Sequence, residues 1–437
     1  MFKYFPHTKS DVREMLDAIG INEIDDLFKQ IDPKLITNGE INIPKSHSED
    51  ELRKEIKRLS KKNKELISFL GAGSYDVINF SVCNAITSRQ EFLTSYTPYQ
   101  PEISQGTLQY IFEWQSMICE LTGMDVSNAS MYDGATATAE AMFMATSQTR
   151  KNKILISSTV NPRVIEVVKT YAKYRGIVVE EVISNDYATS IEDLETKLTS
   201  DVSGLIVMQP NFYGVIEDYS KINELVKAKD ALLIMNADPS TLPILKSPRE
   251  WGADIACGEA QTLGIPLSFG GPYLGYLATT QKLLRKMPGR ICGMTKDVDG
   301  KRGYVLTLQA REQHIRREKA NSNICSNQSL LALHVVVYMS LLGKKGLKEV
   351  AKLAYNNSHY LEQELLKTKK FTKVNKQDFF KEFVLKYNGD LEKLNKAMVG
   401  KGYLPGLILK DNCLLLCATE KRTKEEIDEF VRLVGEE

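Results

Sequence analysis

From residue 150 onward the chain alternates short β-branched runs with stretches whose apolar positions recur every three to four residues. KILISS (153–158) reads as a strand, and PRVIEVVKTYAKYRG (162–176) as a helix with Pro162 near its start and Gly176 closing it. IVVEEVI (177–183), VSGLIVMQP (202–210) and ALLIMNAD (231–238) are further strands, with SIEDLETKLTS (190–200) and DYSKINELVKAK (218–229) as the helices between them. Apolar strands separated by single helices imply a parallel sheet covered on both faces. Right-handed crossovers then bring the loops 209–216 and 236–243 together at the carboxyl edge, where such sheets build their sites.

The two ends carry other rhythms. Thr8-x-x-Asp11 has the form of a capping box, and Val12, Met15, Leu16 and Ile19 follow on one helical face. Ser48-x-x-Glu51 opens a second, strongly charged helix striped by Leu52, Ile56 and Leu59, and IDPKLITNGEINIPKSH between the two reads as an extended connector. Amphipathic arms of this kind must lie against something, in the same chain or in a partner. Past residue 330, LLALHVVVYMSLLG reads as a buried helix, VAKLAYNNSHYLEQELLKT as an amphipathic one and NCLLLCATE as a strand. TKEEIDEFVRLVGEE ends the chain with Ile427, Phe430, Val431 and Val434 on one face. The expected organisation is a helical arm (1–65), a large α/β domain (66–328) and a small C-terminal α+β domain (329–437).

Composition narrows this little. At 437 residues, with 43% hydrophobic and 26% charged residues, the chain is long enough for a full core and more than one domain. A net charge of +1 gives no sign of nucleic-acid binding. MFKYFPHTKSDVREML lacks the apolar core of a signal peptide, and no apolar run reads as long enough to span a bilayer, so a cytoplasmic location is expected. The seven cysteines are scattered and odd in number; only Cys413 and Cys417 are close, which favours reduced thiols over a metal site.

Three features carry the chemistry. MYDGATATAEAMFMA (131–145) is a turn entering a helix of small residues, where the N–H groups near Gly134 and Thr136 suit a phosphate; the plain alternative is a capped helix packed through alanine. Asp238 ends a strand, where a carboxylate keeps a pyridoxal ring nitrogen protonated or else caps a turn. About two dozen residues further on, an aspartate-aminotransferase-like (fold type I) chain carries the lysine that forms an imine with the cofactor. Here Lys246 lies only eight residues past Asp238 and Lys282 lies 44 past it, with Gln261 and Thr262 between. Neither an amide nor a hydroxyl forms an imine.

Longer stretches then carry a resemblance. GAGSYD (71–76), FLTSYTPYQPEISQGTLQYIFEWQSMICELTGMDVSNASMYDGATATAEA (92–141), GEAQTLGIPLSFGGPYLGY (258–276) and RGYVLTLQAREQHIRREKANSNIC (302–325) resemble the glycine dehydrogenase (decarboxylating) family, the P-protein of the glycine cleavage system. Within that family they resemble the alpha chain of the two-subunit form, whose beta partner has a histidine-lysine pair where this chain has Gln261-Thr262. The resemblance implies a fold type I chain in an α2β2 assembly. The beta chain would bind pyridoxal phosphate and decarboxylate glycine, and the aminomethyl group would pass to the lipoyl arm of H-protein.

On that basis the alpha chain supplies a degenerate pocket (Asp238, Gln261, Thr262, Gly134, Thr136) and candidates for the partner's site. Tyr96 and Tyr99 lie in a rigid, proline-bearing loop that reads as channel wall or as interface packing. GAGSYD is expected to border the same opening or to be a plain turn, and FGGP (269–272) to let backbone approach backbone. REQHIRREK (311–319) reads as a basic helix in which Arg311 and Arg316 could meet carboxylates; a solvated charged face is the plain alternative, and His314 reads as a structural hydrogen-bonder. The competing readings are a scaffold or regulatory paralogue, a self-sufficient pyridoxal enzyme using Lys246 or Lys282, and an unrelated α/β enzyme.

Overall fold

The computed structural model describes residues 6–37, 41–308, 313–320, 324 and 326–437. The chain divides into two units, Met1–Lys64 and Glu65–Glu437.

In the first unit both capping boxes close. Asp11 Oδ2 accepts from Thr8 N at 2.6 Å and Glu51 Oε2 from Ser48 N at 2.8 Å, at the starts of helices Lys9–Ile19 and Glu49–Ser60. The connector is not wholly extended: Asp32 accepts from Lys34 N and Pro33 starts a 3₁₀ turn, Pro33–Leu35. Of the apolar residues described here only Leu16 is buried, while Ile19, Leu52 and Ile56 are exposed.

The second unit is built on a seven-stranded sheet: β1 (Val126–Ser127), β2 (Lys153–Ser157), β3 (Val178–Val182), β4 (Val202–Gln209), β5 (Leu232–Ala237), β6 (Ile255–Glu259) and β7 (Gly275–Thr279). Their spatial order is β1-β7-β6-β5-β4-β2-β3. β3, β2, β4, β5 and β6 pair in parallel; β7 is antiparallel to both β6 and β1. Alternation along the strands divides the core between the two faces. Leu155, Leu205, Leu233, Met235 and Ala256 pack with Trp114, Ile118, Tyr219 and Val336. Ile154, Ile206, Ile234, Cys257 and Leu277 pack with Met142, Ala145 and Val168. The fold is thus the expected α/β layering with a mainly parallel sheet.

The two C-terminal helices read from the sequence are both present, joined end to end as Ser329–Lys367 across a kink where Gly343 leaves helical geometry at φ 59°. In length and composition this helix meets the requirement for a bilayer span, contrary to the sequence expectation. Its first limb is nevertheless built into the core, with Ala332, Val335, Val336 and Tyr338 buried and His334 bonded to the Gly264 carbonyl at 2.9 Å. A four-stranded antiparallel sheet follows: Phe371–Lys373, Glu382–Tyr387, Cys413–Cys417 and Leu407–Ile408 in spatial order. Between its strands Phe371–Lys373 and Glu382–Tyr387 the chain runs beside the loop after β4, with Phe380 N donating to Gly214 O at 3.0 Å and Ile216 N to Asp378 O at 2.9 Å. That pairing delivers residues 381 and 382 to the carboxyl edge of the large sheet.

FGGP is an exposed turn: Phe269 is 96% exposed, a Cβ on Gly270 would meet nothing, and one on Gly271 would stand 3.2 Å from the Ser268 carbonyl of the same turn. In the basic stretch the described residues form a four-residue helix, Gln313–Arg316, and a 3₁₀ turn, Arg317–Lys319.

Candidate functional site

The loops after β4 and β5 meet as the crossover rule requires, Asp238 N donating to Gln209 O at 3.0 Å. Asp238 follows directly on β5, with its side chain 12% exposed. Its Oδ1 accepts from Thr262 Oγ1 at 2.7 Å and from Ser240 Oγ at 2.8 Å; its Oδ2 lies 2.5 Å from Lys381 Nζ. The Lys381 side chain is 5% exposed, its ammonium also donates to Ser240 Oγ at 3.2 Å, and it sits 4.0 Å above the Tyr75 ring. Burial pushes the Asp238 carboxyl up, but the Lys381 charge and the hydroxyl donors outweigh it and hold the acid below its ordinary range. Burial likewise lowers Lys381, and the Asp238 carboxylate more than reverses this. Both groups are therefore charged at neutral pH, an ion pair in a dry place.

GAGSYD closes over this pair from the side. Ala72 N donates to Glu382 Oε1 at 2.6 Å and the Tyr75 hydroxyl to Glu382 Oε2 at 2.7 Å. Gly71 has no room for a side chain: a Cβ there would stand 2.4 Å from Glu382 Oε1. Gln261 holds the other edge, accepting from Tyr75 N at 2.9 Å and donating to Tyr75 O at 2.8 Å and Ile265 O at 2.6 Å. Its amide acts as a double-ended clip on the backbone. Burial raises the Glu382 carboxyl to about 7 despite its donors.

The phosphate-type turn is equally engaged. Asp133 caps helix Gly134–Thr149, accepting from Thr136 N at 2.7 Å, and the Gly134 N–H donates to Glu259 Oε2 at 3.0 Å. Gly134 itself lies so close to β6 that a Cβ would meet Glu259 N at 2.6 Å. The other oxygen of Glu259 accepts from Leu274 N at 2.9 Å and from Gln261 N at 3.2 Å. Burial raises this carboxyl to about 7, against the pull of three backbone donors.

Asp238, Gln261, Thr262 and GAGSYD are thus brought together, with Gly134 and Thr136 at the neighbouring turn. Tyr99 is held elsewhere, its hydroxyl accepting from Arg290 Nη2 at 2.7 Å. Tyr96, 77% exposed, lines a surface hollow of about 200 Å³ with Phe92, Tyr110 and Ser329. Arg316 is exposed; Arg311 lies outside the described residues. Lys246 stacks over Trp251 at 4.5 Å, and Lys282 lines a separate hollow with Lys227, Arg249 and Asp254. Lys381, Glu382 and Glu259 were not singled out in the sequence. The available signal was a charged pair inside the apolar run FFKEFVLKY (379–387), with Lys381 in phase with Phe383 and Leu385.

Pyridoxal phosphate, the cofactor of this fold, does not fit these residues. It would need a free carboxylate for its ring nitrogen, free N–H groups for its phosphate and an amine for its aldehyde. Lys381 already holds Asp238, and Asp133 and Glu259 already hold the helix N-terminus. The Lys381 amine stands at the ring-nitrogen pole, and the aldehyde carbon is para to that nitrogen on the pyridine ring.

Sheet order, helix placement and carboxyl-edge site define the fold of the fold type I pyridoxal phosphate-dependent enzymes. Lactobacillus brevis glutamate decarboxylase shares it, at a TM-score of 0.71 with 12% identity over 92% of this chain and 95% of that one. A sequence profile of the glycine cleavage system P-protein matches residues 2–434, and the chain belongs to that family. It is 48% identical over 434 residues to a probable glycine dehydrogenase (decarboxylating) subunit 1 from Moorella thermoacetica, covering 98% of each chain. It is 47% identical to the protein of that description from a Geobacillus species, covering 100% of this chain and 99% of that one. A crystal structure of glycine decarboxylase (P-protein) of the glycine cleavage system, in inhibitor-bound form, superposes over 100% of both chains at a TM-score of 0.92 with 38% identity.

Proposed function

We propose that this chain is the subunit of a glycine dehydrogenase (decarboxylating) that carries no cofactor of its own. It works with a homologous lysine-bearing beta chain in an α2β2 assembly. The beta chain holds pyridoxal phosphate and decarboxylates glycine, and the aminomethyl group passes to the lipoyl arm of H-protein. One observation carries the reading: a chain similar from end to end to proteins called subunit 1 has its own Asp238 paired to Lys381, with Gln261-Thr262 in the segment where an imine-forming lysine would stand. Exposed Tyr96, and Tyr99 pinned by Arg290, supply part of the wall of the partner's channel, a role supported by a proline-bearing loop that presents rigid aromatic surface outward. Arg311 and Arg316 are assigned to the same wall on the resemblance alone.

The test is reconstitution. Glycine-dependent exchange of labelled bicarbonate, measured with lipoylated H-protein and pyridoxal phosphate, is expected only when this chain and the lysine-bearing chain are combined. Equal exchange by this chain alone would refute the assignment. Full exchange by the partner alone would favour a scaffold.

A further inference from the structure

We propose that the pocket is a self-filled lock: Lys381 takes the pole at Asp238 and holds the C-terminal sheet shut on the large sheet, and Glu259, within the large sheet, takes the pole at the Gly134 N–H, both without any ligand. This concerns the chain's own pocket and stands whether or not the partner assignment above is correct.

The argument rests on how the two poles are filled. Lys381 comes from the C-terminal part of the chain and Asp238 from the tip of β5, so their 2.5 Å contact ties two sheets together. The tie is cross-braced. Glu382, next to Lys381, receives Ala72 N and the Tyr75 hydroxyl, and Gln261 receives Tyr75 N. The backbone of residues 378–380 is bonded to residues 214–216 immediately upstream. A buried ammonium is tolerated only where an opposite charge and hydrogen-bond acceptors meet it, and Lys381 has Asp238, Ser240 Oγ and the Tyr75 face. At the other pole, Asp133 and Glu259 each take an N–H of the first helical turn. An incoming phosphate would have to displace one carboxylate and stand beside the other, which like-charge repulsion opposes. An ammonium and a carboxyl group of the chain itself thus stand where a ring-nitrogen proton and a phosphate would be received.

Pyridoxamine 5′-phosphate is the probe, because it has both poles and no aldehyde to react with surface lysines. In equilibrium dialysis the full chain is expected to retain none of it. Glu259→Ala/Lys381→Ala, which vacates both poles, is expected to bind it at least tenfold more tightly than the unaltered chain. Stoichiometric binding by the unaltered chain, or no gain in a folded double variant, overturns the proposal. A second measurement covers the case in which that variant does not fold. Lys381→Met and Asp238→Asn are each expected to lower the thermal midpoint, and the two together to recover more than half of the larger loss. Simple addition of the two losses means that the groups do not act as a pair, and it also overturns the lock.

Discussion

The N-terminal arm and the carboxyl-edge pocket invert the usual expectation for an enzyme. In the arm, helices Lys9–Ile19 and Glu49–Ser60 are locally well made, with closed capping boxes, yet their apolar residues face outward: Ile19 is 60% exposed and Ile56 57%. In the pocket, where a ligand site of this fold is ordinarily open, Asp238 and Lys381 answer one another, Glu259 answers Gly134 and Gln261 clips Tyr75. The apolar surface left exposed is in the first unit, and the polar groups that answer one another are in the second. Exposed apolar area gains by association, whereas polar groups that already pair have little further to gain from a ligand.

The comparison breaks first at Lys381. Lys381→Met leaves the Asp238 carboxylate buried without its counter-charge, and denaturant unfolding is expected to show a loss of about 3–5 kcal/mol. A loss under about 1 kcal/mol would mean that water already reaches Asp238.

Glu259 sharpens it through pH. Its folded pKa, about 7, lies above the ordinary carboxylate value, so the folded chain binds the extra proton. This group's contribution is present at low pH and lost as pH rises through 7. Glu259→Gln cannot titrate, but its amide nitrogen cannot accept from the N–H groups that both carboxyl oxygens serve, so it is expected to be the less stable near pH 5. By pH 8 the gap should have shifted in favour of the variant by on the order of 2 kcal/mol. The same gap at both pH values would show that the carboxylate is freely solvated.

Tyr99→Phe removes the hydroxyl that receives Arg290 while keeping the ring beneath the guanidinium, which lies 4.9 Å from its centroid. The expected cost is about 1 kcal/mol, with a larger relative fall in exchange activity of the reconstituted pair. The smallest effect belongs to the arm. Leu52→Ala and Ile56→Ala are expected to change the stability of the chain alone by no more than about 0.5 kcal/mol. They should still reduce recovery of the lysine-bearing chain in co-purification. A core-sized loss would show that the arm is already packed without a partner.

Much of the architecture was legible because its signals are local. The strands from KILISS to ALLIMNAD, the capping boxes at Thr8 and Ser48 and the turn at Asp133 each depend on residues within a few positions of one another. Asp238 was found because it ends a strand at the carboxyl edge, and Gln261 and Thr262 because they stand where a fold type I chain carries its lysine. In FGGP the two glycines differ: Gly270 stands in open space, whereas Gly271 comes close to the Ser268 carbonyl of its own turn. The break between the two C-terminal helices was legible because Gly343 marks it, and the backbone leaves helical geometry at that residue.

What the sequence by itself determined is the order of strands and helices, the family and the absence of a lysine between Lys246 and Lys282. What only the tertiary structure decided is the state of the pocket. Lys381 and Asp238 are far apart along the chain, and no periodicity links them; they meet because residues 378–380 pair with the loop after β4 and carry the next side chain inward. Hydrophobic alternation is written into each short segment, whereas the fate of a buried charge depends on what the rest of the fold brings to it.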